Sequence, residues 1–165
     1  LLPPFLSLAA KSAVAMNDKY IQLLPVFSAV LDTSELNKSL VELIVSSLAK
    51  LLKNATCKHL GDDFLLKILP RLQHSLGSAD TVIFQLNRFE FRNLEIFPNA
   101  LNLSYRLVLT KICLATLECL YLIAQRWPVP TLLPFCSPIM CSLANVSRRK
   151  KEIVRRAVAD VRAAW

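Results

Sequence analysis

The chain has 165 residues, of which 54% are apolar and 19% charged, with a net charge of +8. That is enough length and apolar side chain for one domain with a continuous core, and it excludes a disordered, highly charged tail. The charge is unevenly spread: residues 147–165 hold seven basic and two acidic side chains, a local +5, and the rest of the chain supplies only +3.

The first residue is Leu1, and LLPPFLSLAA has no basic n-region, so the start does not read as a secretory signal; the composition is that of a piece of a larger body. Residues 1–18 form a lead-in helix or partial repeat. The first strong helix signal runs from about Ser34 to Leu52. Leu36, Leu40, Leu43, Ile44, Leu48, Leu51 and Leu52 recur at helical spacing, with Glu35, Lys38, Glu42, Lys50 and Lys53 elsewhere on the wheel. Asp32, Thr33 and Ser34 offer capping oxygens. A second helix opens at Asp62 and Asp63, passes through Leu65, Leu69, Leu72 and Leu76, and is expected to stop at Gly77 in the left-handed position that favours glycine.

Residues 77–99 break the pattern. They hold Phe84, Phe89, Phe91 and Phe97, half of the eight phenylalanines, and Val82, Phe84 and Leu86 alternate as a strand would. A long insertion of this kind either docks a partner through its aromatics or folds back over the neighbouring repeat. An apolar helix follows at 104–126; because Leu107 to Ala124 includes Lys111 and Glu118, it reads as a helix buried in protein rather than in lipid. The charge-free run from Trp127 to Ser147 is long enough to span a bilayer, but Pro128, Pro130, Pro134 and Pro138 argue against a spanning helix. A turn is expected at Asn145 to Ser147. The terminal helix then places Ile153, Val154, Ala157, Val158 and Val161 on one stripe that Trp165 extends, with a basic outer face whose cations crowd the first turn.

Three short stretches, LLP at 23–25, ILP at 68–70 and LLP at 132–134, each lie in an apolar helical segment followed by a longer amphipathic helix. The first two prolines are 45 residues apart, the period of a HEAT or armadillo hairpin; the next interval, 64, is one period of about 40–45 plus the insertion. The fold class is therefore all-α, an α-solenoid of HEAT-type hairpins. The hairpins are 19–53, 60–126 with its insertion at 77–99, and 130–165. Stacked hairpins bury their apolar faces against one another and leave an extended concave surface for other proteins.

No catalytic constellation is visible. His59 and His74 lie 15 residues apart with no identifiable carboxylate partner, and two glycines, Gly61 and Gly77, cannot build a phosphate-cradling loop or a nucleophile elbow. The five cysteines, Cys57, Cys113, Cys119, Cys136 and Cys141, contain no CxxC and read as small buried hydrophobes of a reducing compartment. Cys57 and His59 alone do not make a metal site. The Asn-x-Ser/Thr triplets at Asn37, Asn54, Asn102 and Asn145 are treated as accidental in a chain without a secretory signal. The segment is read as non-catalytic, without metal or cofactor. Its basic terminal face is a solvated surface, a site for an acidic protein, or a nucleic-acid contact.

TLLPFCSPIMCSLANVSRRKKEIVRRAVADVRAAW, residues 131–165, combines Leu132, Leu133 and Pro134 with a short loop, the basic run Arg148 to Lys151, then Val154 and Arg155, the small Ala157, and Trp165. This order resembles the end of the methyl-methanesulfonate-sensitivity nineteen family, the large HEAT-repeat adaptors of the cytosolic iron–sulfur assembly targeting complex. The likeness is specific over these residues and looser through 104–126, and the insertion at 77–99 departs from it. It implies a non-catalytic adaptor of cytoplasm and nucleus. In that family the C-terminal repeats hold a small MIP-family cluster-carrier subunit, which joins a WD-repeat propeller subunit, and the complex serves iron–sulfur client proteins of DNA replication and repair. Charge and position then single out Arg149, Lys150, Arg155, Arg156 and Arg162 as partner-binding residues, with Trp165 as an aromatic beside the basic face. No membrane and no direct nucleic-acid contact follow from the resemblance; a nucleic-acid-binding helical repeat is the alternative, and a receptor for cargo peptides is a third reading that the positive charge weakens.

Overall fold

The computed structural model describes residues 38–54, 62–90, 99–148 and 151–165. Among these residues there are five helices and no strand: α1, Lys38–Asn54; α2, Asp62–Glu90; α3, Asn99–Arg126; α4, Val129–Ser147; and α5, Glu152–Ala164. The segments 1–18 and 19–37 of the expected lead-in and first hairpin lie outside the described residues.

Each helix forms for a local reason and is held by its neighbours. On α1, Val41, Ile44, Val45, Leu48, Leu51 and Leu52 are buried at the helical spacing expected of one face. Asp62 and Asp63 stand in the first turn of α2, where carboxylates favour the positive end of the helix dipole. α3 is apolar on most sides because it is the central helix, packed on α1, α2 and α5. Its hydroxyls are satisfied within it: Thr110 and Thr116 donate to the carbonyls of Arg106 and Ile112, each at 2.8 Å.

The pairing order is simple. α1 packs on α3 and α3 on α5, forming one row, while α2 packs on α4 in a second; the consecutive pairs α2–α3 and α4–α5 join the rows. The arrangement is compatible with an α-solenoid. One apolar cluster runs through all five helices. At the corner between α3 and α4, Trp127 stacks on Phe64 of α2, with centroids 5.9 Å apart and planes 8° from parallel. Pro128 caps α4 in an extended conformation and turns the chain back.

Several expectations are corrected. α2 does not stop at Gly77; it continues to Glu90, and no described glycine has a positive φ. An interior glycine costs only about 1 kcal/mol relative to alanine, and no proline lies between Pro70 and Pro98 to force a break. Residues 78–90 of the insertion are accordingly helical, so the alternation at Val82, Phe84 and Leu86 does not form a strand; 91–98 lie outside the described residues. As expected of the ILP and LLP stretches, Pro70 and Pro134 sit inside helices, and so does Pro138. They are exposed, so the carbonyls that lose a bond to each missing N–H face water rather than the core. By length and composition alone, Ser104–Arg126 and Val129–Ser147 are each long and apolar enough to cross a membrane; half of the first is buried inside the chain and 22% of the second.

The turn expected at Asn145 to Ser147 is instead the last turn of α4, whose C-cap is Arg148. α5 begins at Glu152 with Lys151 as its N-cap. The basic run therefore precedes α5 instead of crowding its first turn. Arg148 lies at the negative end of α4 and Arg162 in the last turn of α5, both favourable places for a cation.

Candidate protein-interaction surfaces

The row α1–α3–α5 carries a groove of about 900 Å³ on its outer side. α1 contributes Glu42 and Ser46; α3 contributes Lys111, Leu114, Ala115, Glu118, Tyr121 and Gln125; α5 contributes Ala157, Asp160, Ala163 and Ala164. Ion pairs cross it. Lys111 meets Glu42 at 3.3 Å, and Lys53 of α1 pairs with Glu118 of α3. Farther along, Arg126 donates to the Lys53 carbonyl at 2.6 Å, tying the ends of α1 and α3 together. All these partners reach solvent, so they align the helices more than they stabilise them.

α5 has three differing faces. Val154, Val158 and Val161 are buried, with Ala157 half-buried. Ile153, expected on this stripe, is 60% exposed; one residue from Val154, it is rotated about 100° away and clears the core. Arg155 and Arg162, seven residues apart, share one flank of the helix, and Ala157, Asp160 and Ala164 lie on the other, toward the groove. Arg156 is exposed and pairs with Glu152 one turn back. The loop before α5 is anchored by Lys151, whose Nζ donates to Thr110 Oγ1 of α3 at 3.0 Å. Arg149 and Lys150 lie outside the described residues.

Trp165 extends the buried stripe of α5, as its spacing predicts. It is half-buried against the core, and its indole N–H donates to the Leu120 carbonyl of α3 at 3.0 Å. Its backbone N–H closes α5 on Val161, and its carbonyl accepts from the half-buried Cys136 thiol of α4 at 3.4 Å. One residue thus joins α3, through its indole, to α4 and α5, through its backbone. Helical spacing could extend the stripe to Trp165, but not reveal the acceptor waiting on α3.

Among the described residues no three His, Cys, Asp or Glu side chains come together as a metal site. His74 is exposed on α2, and Cys57 and His59 lie outside the described residues. Cys119 is fully buried and donates to the Val45 carbonyl of α1 at 3.5 Å. Burial, reinforced by the neighbouring Glu118 charge, pushes its thiol far above the ordinary range, so it stays protonated and unreactive. Cys113 is buried and Cys141 exposed.

No family model, curated protein or solved structure matches the chain.

Proposed function

We propose that this chain is a non-catalytic scaffold, a HEAT-type α-solenoid segment that holds other proteins. The observation that supports the reading is the pairing order, α1–α3–α5 in one row and α2–α4 in the other, with hairpins between, an order compatible with stacked helical hairpins, which present extended surfaces to partners. The resemblance of residues 131–165 to the adaptors of cytosolic iron–sulfur targeting gives the scaffold its assignment: it holds the small cluster-carrier subunit, with the propeller subunit joined through the carrier, and helps pass clusters to apo-proteins of replication and repair. Arg155 and Arg162 are the described basic side chains best placed for an acidic partner, and Arg149 and Lys150 precede them in the sequence. Light scattering after size exclusion on a mixture with the carrier subunit tests this. A stable complex at micromolar concentration is expected, and two separate species refute the assignment.

The exposed arginine flank of α5 favours a second reading, a helical repeat that binds nucleic acid. Salt-dependent binding to duplex DNA that is lost on charge reversal at Arg155 and Arg156 is its signature.

A further inference from the structure

We infer that the groove over α3 seats a basic amphipathic helix supplied by another protein. This rests on the scaffold reading and names the chemistry of the docked segment, whichever protein carries it.

Shape comes first. The groove is bordered by small side chains, Ser46 on α1, Ala115 on α3, and Ala157 and Ala164 on α5, so a partner backbone can approach closely. From Lys111 to Gln125 it follows 14 residues of α3, a length of about 21 Å, or four turns of a docked helix. Its walls are three helices, whose backbone N–H and C=O groups are consumed by their own i→i−4 bonds. An extended peptide would find no strand edge to pair with and would keep its amides in water; a helix brings its backbone already satisfied.

Charge selects among helices. The lining has three carboxylates, Glu42, Glu118 and Asp160, against one cation, Lys111. Glu42 is answered by Lys111 and Glu118 by Lys53. Asp160 is exposed and forms no ion pair among the described residues; Arg156, one turn before it, turns to Glu152 instead. In a chain of net charge +8, this concave surface is locally acidic. The complementary occupant has an apolar stripe at i, i+3 or i+4, and i+7 to cover Leu114 and Ala115, and a lysine or arginine beside the stripe to meet Asp160. Another copy of this chain offers no such helix ready-made in α5, because the apolar stripe of α5 is already buried in its own core.

The test is a selection of displayed 15-residue peptides on the whole chain, followed by fluorescence polarisation with the enriched peptide. Basic amphipathic helices are expected to be enriched. Asp160→Lys is expected to weaken their binding by about tenfold, the effect of losing one close charge pair and adding a like charge. Ala163→Trp, at the exposed rim, is expected to block them while unfolding as the wild type does. Lys67→Ala, exposed on α2 in the other row, leaves binding unchanged. The inference is overturned if no peptide is enriched, if the enriched peptides are acidic, or if Asp160→Lys and Ala163→Trp leave binding intact. A concentration-dependent dimer that Ala163→Trp abolishes also overturns it, by making a second copy the occupant. Peptides that bind the groove while the cluster-carrier subunit fails to bind leave the groove standing and remove only the iron–sulfur assignment.

Discussion

Replacing Trp165 by alanine separates a core residue from a partner-binding one. The indole is half-buried against the apolar cluster and its N–H meets the Leu120 carbonyl at 3.0 Å. Truncating a fully buried tryptophan costs about 3–5 kcal/mol. Partial exposure reduces that to about 2 kcal/mol, and the lost hydrogen bond adds up to about 1 kcal/mol. The expected loss is thus about 2–3 kcal/mol, or about 5–10 °C in Tm for a chain of this size. Trp165→Phe keeps most of the packing and should cost about 1 kcal/mol. Urea unfolding followed by circular dichroism measures both, and amide exchange at Val158 and Val161 reports whether α5 opens locally before the rest. A Trp165→Ala chain within about 0.5 kcal/mol of wild type, with α5 amides still protected, refutes the core role. If that variant also loses the cluster-carrier subunit, Trp165 belongs to the interface.

Gly77 lies exposed inside α2, and a Cβ there meets nothing within 4 Å; Gly77→Ala should therefore stabilise by about 0.5–1 kcal/mol in the same urea titration. Maleimide labelling read by mass spectrometry should modify Cys141 in seconds to minutes and leave Cys119 unmodified until the chain unfolds. The buried Cys119 thiol has its folded pKa raised. The unfolded chain loses this proton first as pH rises, so the contribution is fully present below about pH 9 and declines above it by up to about 1.4 kcal/mol per pH unit. Cys119→Val should flatten the alkaline decline in stability relative to wild type.

The helical class is legible because burial repeats along the chain: Ile44, Leu48, Leu51 and Leu52 of α1 and Leu65, Leu69, Leu72 and Leu76 of α2 are residues that pack. Boundaries were less legible. Gly77 looks like a stop, yet a glycine inside a helix costs only about 1 kcal/mol relative to alanine. The terminal stripe was read correctly at Val154, Val158 and Val161 and missed at Ile153, since a pattern of two adjacent apolar residues does not say which faces the core. The groove was not legible at all. Glu42, Lys111 and Asp160 are dispersed polar positions in the sequence, and only the packing of α1, α3 and α5 brings them to one surface.

Two of the seven cations of residues 147–165 have partners within the described fold, and this bounds any nucleic-acid binding. Of the seven cations, Lys151 is held by Thr110 and Arg156 by Glu152. Arg148, Arg155 and Arg162 are exposed, and Arg149 and Lys150 lie outside the described residues, so at most five cations can serve as phosphate ligands. If all five neutralised phosphates, the logarithm of the binding constant would fall with the logarithm of salt at a slope of about −4.5, a loss of about 500-fold between 50 and 200 mM. Fluorescence anisotropy with a labelled duplex across that range decides the matter. A slope near that limit, halved by Arg155→Glu with Arg162→Glu, puts nucleic acid on the basic flank. Acidic-protein docking through the same flank predicts a shallower dependence, because screening weakens a few rim pairs without releasing a condensed counterion layer. Occupation of the groove predicts a response to Asp160→Lys and none to the flank arginines.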